Sequence, residues 1–324
     1  MKVMVTGGAG FLGSHLTRAL LVAGCEVVVV DDLSTGAVNN LSGLPVKLVV
    51  GSVTDRALLE EAAAGVASIV HLAARPSVER SLLDPMASHD VNVTGTLTVL
   101  DVAQRAEAHV IVTSSAAVYG DAGTGPCRED GPIDPRSPYA ASKLAAEAYA
   151  LGFQASVGLP VLVVRLFTVF GPFQAAGQAY PAVVPSFIDA ALAGRPLTVY
   201  GDGRQTRDVG YVDPITAMLV DATTRRLTHP RPVNLAFGTP VDLLTLVAAL
   251  EDILGYQLPV AFGPARAGDV RHRRADPTTA RTLFPWADGG DLATALDATV
   301  AWYAARAGHP LNAPRRPAVR GNAG

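Results

Sequence analysis

Lysine is almost missing from this 324-residue chain, where Lys2, Lys47 and Lys143 stand against twenty-three arginines. A sequence that uses arginine wherever a solvated cation will serve makes each lysine it does carry worth inspecting. Cysteine is as scarce: Cys25 and Cys127 are the only two, without redox or metal spacing, and both read as free thiols. The seven histidines are scattered without ligand spacing, so no metal is expected. A net charge of -3 and a pI near 6.2 leave no basic stripe, which argues against nucleic acid as a partner. No apolar run is long enough to span a bilayer, and the chain enters its first strand with no room for a signal peptide. A cytoplasmic protein without a membrane partner is the expectation. What remains, 49% hydrophobic and 17% charged, is an ordinary globular balance, long enough for one large α/β unit and a smaller lobe.

The first thirty-six residues carry the strongest local pattern. Met1 to Thr6 is a short apolar run that breaks into Gly7-Gly-Ala-Gly-Phe-Leu-Gly13. From Ser14 to about Gly24, Leu16, Ala19, Leu20 and Ala23 recur at helical spacing, so a strand enters a glycine turn that opens a helix. The free N–H groups and positive dipole end of that helix face the glycines, and an anion belongs there. Glu26 to Val30 reads as a second buried strand ending in Asp31-Asp32, about twenty residues past the glycines. Strand, glycine turn, helix, strand and acid form the dinucleotide fingerprint, with the carboxylate on the adenosine ribose. Asp31 favours NAD over NADP, since it would repel a 2′-phosphate.

Strand and helix keep alternating. Lys47 to Val50, Ser68 to His71, His109 to Ser115 and Val161 to Phe167 read as strands; 56–64, a long stretch from Pro85 to Ala106, and Ser137 to Ser156 read as helices. This predicts a doubly wound α/β fold of Rossmann type, with a parallel sheet and ligands at the C-terminal strand ends. After Gly171 the rhythm changes to short segments at 197–200, 208–211 and 232–236 between helices near 182–192, 213–224 and 240–253, a smaller α+β lobe. The expected division is 1–170 for the dinucleotide, with parts of the later chain returning to it, 171–307 mainly for substrate, and a frayed tail at 308–324.

Tyr139 and Lys143 lie one turn apart at the start of a helix, on one face. A free phenol is a poor base at neutral pH. Bringing its pKa near 7 takes roughly three units, or about 4 kcal/mol, of preferential phenolate stabilisation, which a neighbouring ammonium and an oxidised nicotinamide ring would supply. Ser115 closes a strand where its hydroxyl would hold the substrate oxygen that Tyr139 deprotonates.

These stretches resemble the extended short-chain dehydrogenase/reductases of the NAD-dependent sugar epimerase/dehydratase family, from Met1 to about Trp302. The resemblance is carried by Thr6-Gly-Gly-Ala-Gly-Phe-Leu-Gly13, Asp31-Asp-Leu-Ser-Thr-Gly36, His71-Leu-Ala-Ala74, Asn92-Val-Thr-Gly-Thr96, Ser114-Ser-Ala-Ala-Val-Tyr-Gly120, Ser137-Pro-Tyr-Ala-Ala-Ser-Lys143, Arg165-Leu-Phe-Thr-Val-Phe-Gly-Pro172, Gly201-Asp-Gly-Arg-Gln-Thr-Arg-Asp208 and Arg266-Ala-Gly-Asp269. It implies tightly held NAD, a nucleoside-diphosphate sugar as substrate, and Ser115, Tyr139 and Lys143 as the catalytic set. It further implies cofactor contacts at Gly7, Gly10, Phe11, Leu12, Gly13, Asp31, Asp32, Ser52, Val53, Leu72, Ala73, Ala74, Asn92 and Phe167, besides Tyr139 and Lys143. For the substrate it implies Ser77, Ser115, Thr168 and Val184, with Val199 and Tyr200 packing the base. Arg207 and Arg266 fall on the diphosphate, Asp269 on the nucleotide ribose, and Arg273 at the sugar. A homodimer paired through the helices near 85–106 and 137–156 is also implied.

In such a family the residues after the catalytic serine separate the reactions. Dehydratases carry an acidic pair there and decarboxylases a Glu at the second position; this chain has Ala116 and Ala117. A 4-epimerase needs no extra acid, so 4-epimerisation is the favoured reading. Another sugar-modifying member of the family, or a non-catalytic NAD sensor, is the alternative. Three positions depart from the commonest pattern. Thr168 stands where many 4-epimerases have Asn and matches members resembling UDP-glucuronate 4-epimerases, and Val209 replaces an aromatic. Arg273 stands where a residue gates the hexose pocket. It would shrink that pocket, pair with a sugar carboxylate, or turn to solvent.

Overall fold

The computed structural model describes residues 1–121, 123–175, 182–265 and 270–308. In chain order the first elements are β1 (Lys2–Thr6), α1 (Phe11–Val22), β2 (Glu26–Asp31), β3 (Lys47–Val50), α2 (Arg56–Ala62), β4 (Ser68–His71), α3 (Val78–Leu83), α4 (Pro85–His89), α5 (Gly95–Arg105), β5 (His109–Ser115), α6 (Pro138–Val157) and β6 (Val161–Leu166). There follow β7 (Thr168–Phe170), α7 (Val183–Leu192), β8 (Leu197–Tyr200), β9 (Thr206–Tyr211), α8 (Val212–Thr224), β10 (Val233–Leu235), β11 (Pro240–Asp242), α9 (Leu243–Leu254), β12 (Val260–Gly263), β13 (His272–Arg273), α10 (Thr278–Leu283) and α11 (Leu292–Arg306).

Seven strands form one parallel sheet in the order β10-β6-β5-β4-β1-β2-β3. Its strands are apolar on both faces because helices cover both. Val3, Val5, Val27 and Val29 join α1 and α8 through Leu16, Leu20, Ile215 and Leu219. The alternate residues Met4, Val28 and Val30 join α2, α5 and α6 through Leu59, Val99, Leu100 and Ala150. The two-residue period of a strand therefore sorts the valine runs into two cores. Each such side chain contributes roughly 1.5–3 kcal/mol on burial. From β1 the chain winds through β2 to β3 and then crosses back to β4 on the other side of β1, and ligands bind at such a switch point.

One feature differs from the sequence expectation. The helix expected over 85–106 is α4 and α5 joined by a π turn at Asp90–Thr94, one extra residue per turn that hydrophobic periodicity does not register. After Gly171 the chain does return to the large sheet: β10 pairs with β6, and α8 packs on α1. The remaining strands form smaller sheets. In one, β9 pairs with β11, β13 and β7; in the other, β8 pairs with β12. Their core comprises Phe170, Val184, Phe187, Val199, Leu246, Leu250 and Leu296. The expected tail lies outside the described residues beyond Gly308. No described helix is long and apolar enough to cross a membrane.

Candidate functional site

The turn after β1 requires glycine for steric reasons. Gly7 has φ +71°, and a Cβ there would stand 2.8 Å from the Ala73 nitrogen; at Gly13 it would stand 2.1 Å from the Gly7 carbonyl oxygen. Backbone thus packs on backbone between β1, α1 and the end of β4. Helix α1 starts at Gly10 without a side-chain cap or an acid in its first turn, leaving the N-terminal N–H groups at Phe11 and Leu12 to an external anion. Asp31, only 6% exposed, accepts hydrogen bonds from the Ala9 and Leu33 nitrogens at 2.9 Å each, and a carboxylate with two such bonds keeps lone pairs for hydroxyl donors. Burial pushes it above the usual carboxylate range against the pull of those N–H groups. These residues fit a dinucleotide: an uncapped helix end for its pyrophosphate and a buried acid for its ribose.

The other expected cofactor positions are distributed around this turn. Asp32 is exposed and bonds Ser34. Ser52 bonds Thr54, and the Val53 side chain is core, lying where a Cβ on Gly95 would strike it. Leu72, Ala73 and Ala74 leave β4. Asn92, in the π turn, accepts from the Arg75 nitrogen at 2.8 Å and donates to Ser142 at 2.9 Å; the π turn thereby ties the β4 loop to α6.

Helix α6 is started by Ser137, whose hydroxyl accepts from the Ala140 nitrogen at 3.1 Å, and by Pro138 in its first turn, a capping arrangement that fixes where Tyr139 emerges. The Tyr139 backbone nitrogen also donates to Ser81 of α3 at 3.0 Å. Burial pushes the Tyr139 phenol above its ordinary value, opposed by a hydrogen bond with Ser115 and by the Arg273 charge. Lys143, 6% exposed, donates from Nζ to the Thr113 carbonyl at 2.8 Å. Burial draws it down to about 8, with Glu147 working the other way. The three expected catalytic side chains are therefore brought together at the ends of β5 and α6. The sequence assigns the cation acting on Tyr139 to Lys143; the Arg273 charge also acts on the phenol, while the Lys143 ammonium holds the strand carbonyl behind it.

Arg273 reaches this point through sheet register. It is the partner of Arg207 in β13–β9, and Thr168 is the partner of Val209 in β7–β9. With alternation along β9, Thr168, Arg207 and Arg273 share one face. Arg207 donates to the carbonyl of Thr206 at 2.8 Å. Of the other expected substrate residues, Val184 and Val199 have side chains in the core beneath this sheet. Tyr200 is half-buried and Ser77 caps α3, while Phe167, expected at the cofactor, packs on Tyr119. Arg266 and Asp269 lie outside the described residues. A crevice of about 360 Å³ lined by Phe170, Tyr211, Phe237 and Phe284 opens beside β9; none of the expected site residues lines it. The residues that sequence reasoning missed are Ser81 and Thr113. Neither has a sequence signal, because a backbone carbonyl and a remote hydroxyl carry no spacing.

Comparison with known proteins identifies the family. A UDP-glucose 4-epimerase of Mycolicibacterium smegmatis is 36% identical over 313 residues, covering 94% of this chain and 98% of its own. A UDP-glucuronic acid decarboxylase 1 of Arabidopsis thaliana is 33% identical over 295 residues, covering 88% of this chain and 66% of its own. Among solved structures, the UDP-glucuronic acid 4-epimerase of Bacillus cereus in complex with UDP-glucuronic acid and NAD superposes with a TM-score of 0.86 at 28% identity, over 93% of this chain and 98% of that one. The model of the NAD dependent epimerase/dehydratase family matches residues 3–236. The chain belongs to that family of NAD-dependent enzymes acting on nucleoside-diphosphate sugars.

Proposed function

We propose that the protein is a nucleoside-diphosphate-sugar 4-epimerase, acting through a transient 4-keto sugar. The observation that carries this reading is the turn after Ser115. Ala116, 3% exposed, and Ala117 begin it, so no carboxylate stands there to eliminate water or assist loss of carbon dioxide. The 4-epimerase relative, matched almost end to end, supports the same reading.

Bound NAD would supply a reversible two-electron oxidation at the sugar C4. Gly7, Gly10 and Gly13 with the α1 N-terminus would hold it, and Asp31 would fix its ribose. Tyr139 takes the proton of the C4 hydroxyl and returns it after the ketone has presented its other face. Ser115 holds the C4 oxygen throughout. Lys143 supplies positive charge beneath Tyr139 and orients the nicotinamide ribose. Arg207, and Arg266 by its place in the sequence, bind the diphosphate as planar forks. On this reading 1–170 with α8 and β10 carries the cofactor, and most of 171–307 binds the nucleotide.

A second reading concerns the sugar alone. The Arg273 charge opposes the rise of the Tyr139 pKa, which supports a hexuronic acid as the sugar. We also assign a homodimer. Leu82, Leu83 and Met86, 61%, 74% and 67% exposed, are large apolar side chains turned outward on α3 and α4, which pack against α6.

The test is incubation of the purified protein, without added NAD, with UDP- and dTDP-linked glucose, galactose, N-acetylglucosamine and glucuronate, read by chromatography and proton NMR. Mass-neutral interconversion of one C4 pair is expected. A product lighter by water or carbon dioxide overturns the argument from Ala116 and Ala117, and no turnover of any sugar shifts the assignment to a substrate outside the panel or to a sensor.

A further inference from the structure

Behind Tyr139 and Lys143 lies a row of buried polar side chains that the chemistry above leaves unused. Arg165 of β6 has Ser114 of β5 as its register partner on one side and Asn234 of β10 on the other. Three adjacent strands thus present polar groups in line, one residue before Ser115. Exposure is 2% at Ser114, 3% at Arg165 and 0% at Asn234. Glu147, 2% exposed, comes from α6 one turn beyond Lys143. Arg165 grips it twice, from Nε to Oε1 at 2.9 Å and from Nη2 to Oε2 at 2.7 Å, and the Ser114 hydroxyl donates to the same Oε1. Arg165 also donates from Nη1 to the Tyr119 oxygen at 2.9 Å, and the Tyr119 hydroxyl donates to Asn234 Oδ1 at 2.6 Å.

A buried ion pair is on average no more stabilising than apolar side chains of equal volume, so stability alone does not account for this one. The neighbouring ammonium does. Lys143 and Glu147 are separated by four residues on the buried face of one helix, the spacing at which acid and base meet. The only hydrogen bond drawn from Nζ among the described residues runs to the neutral Thr113 carbonyl. Around Lys143 the titratable groups are Glu147 and Tyr139 on its own helix and His71 on β4, with Arg165 one contact removed. Of the other charged or titratable residues on helices and strands packed against α6, Glu79, Arg80, His89, Asp90, Asp101 and Arg105 reach solvent. Buried His109, at the opposite end of β5, is held by Ser68 and the Leu227 carbonyl.

We propose that Glu147, clamped by Arg165 and Ser114, is a positioning residue that keeps Lys143 protonated at neutral pH. The role assigned to Lys143 in the proposed reaction gives this its purpose, but the charge state is a property of the protein without sugar. Glu147 touches no reacting atom; it acts through Lys143. Arg165 in turn limits how strongly Glu147 acts, which tunes the ammonium rather than locking it.

The scarcity of lysine makes a direct test practical. Protein labelled with 13Cε-lysine shows three lysine signals, assigned by Lys143→Arg, each of which titrates by NMR without turnover. In the wild type the Lys143 signal is expected to titrate near pH 8. In Glu147→Gln it should move down by about one unit or more, a roughly tenfold change in the ratio of charged to neutral amine. In Glu147→Gln/Arg165→Met, which removes both charges, it should fall between the two. The alkaline limb of kcat should shift with the lysine while KM for the sugar changes little. A folded Glu147→Gln whose Lys143 titrates as in the wild type overturns the proposal. Should that variant not fold, a double variant with the wild-type titration does the same. Loss of turnover with an unmoved lysine signal would make Glu147 merely structural.

Discussion

Arg207 and Arg273 are partners across the parallel pair β9–β13, two guanidinium-bearing residues side by side on one short ladder. On the proposed reading Arg207 meets the substrate diphosphate, and the Arg273 charge, which opposes the rise of the Tyr139 pKa, is directed at the sugar.

Replacement of Arg273 by Ala should therefore discriminate between sugars. A charge-assisted hydrogen bond to a carboxylate is worth about 1.5–3 kcal/mol, so kcat/KM for a UDP-hexuronic acid should fall roughly 10–100-fold. For a neutral hexose the loss should be several-fold smaller. Steady-state kinetics on both classes checks this; equal losses would mean that Arg273 meets no carboxylate.

Tyr139→Phe should reduce kcat by about 10²–10⁴, the range of a general acid–base group. The retained NAD, measured after heat release from gel-filtered protein, should be unchanged. Gly13→Ala should do the reverse and lose the cofactor, because its Cβ would meet the Gly7 carbonyl at 2.1 Å, a contact that only backbone movement relieves.

Stability should decline on mild acidification. His71 sits between the Thr6 and Thr96 hydroxyls, and His109 between Ser68 and the Leu227 carbonyl. Burial holds both low, to about 3 and about 4. An unfolded histidine titrates near 6.5, so below that pH the unfolded chain binds protons that the native protein refuses. The stabilisation is complete above about pH 6.5 and is lost as pH falls toward 4, with a slope of roughly 2–3 kcal/mol per pH unit near pH 5. Urea midpoints at pH 7.5 and 5.5 read it directly; coincident midpoints would rule out neutral burial of this pair.

The dimer assignment predicts a mass near twice 33.5 kDa by light scattering. Met86→Glu or Leu83→Glu, both on exposed positions, should return it to monomer without lowering the melting temperature. A wild-type monomer would remove the assignment.

The glycine turn, Asp31 and the Tyr139–Lys143 pair could be read from sequence because each is local: strand, turn and helix periods lie within some thirty residues, and one helical turn spaces a phenol from an ammonium. Strand positions were legible for the same reason. What escaped is what depends on distant register. Three residues of β10 find β6 some seventy positions upstream, and Arg273 is set beside Arg207 only because β13 adds to β9. The π turn at Asp90–Thr94 alters geometry without altering composition. Val184 and Val199 illustrate the opposite limit, since family spacing marks a position as close to substrate without saying whether side chain or backbone faces it.

The late arrival of β10 also constrains how the chain is made. Until residues 233–235 emerge, β6 is an open edge with unpaired backbone groups along an apolar strand, the kind of edge that recruits other chains. At about 5–20 residues per second of synthesis, that edge stays open for several seconds after β6 itself is complete. Nascent chains stalled in this interval should be the ones that demand a chaperone.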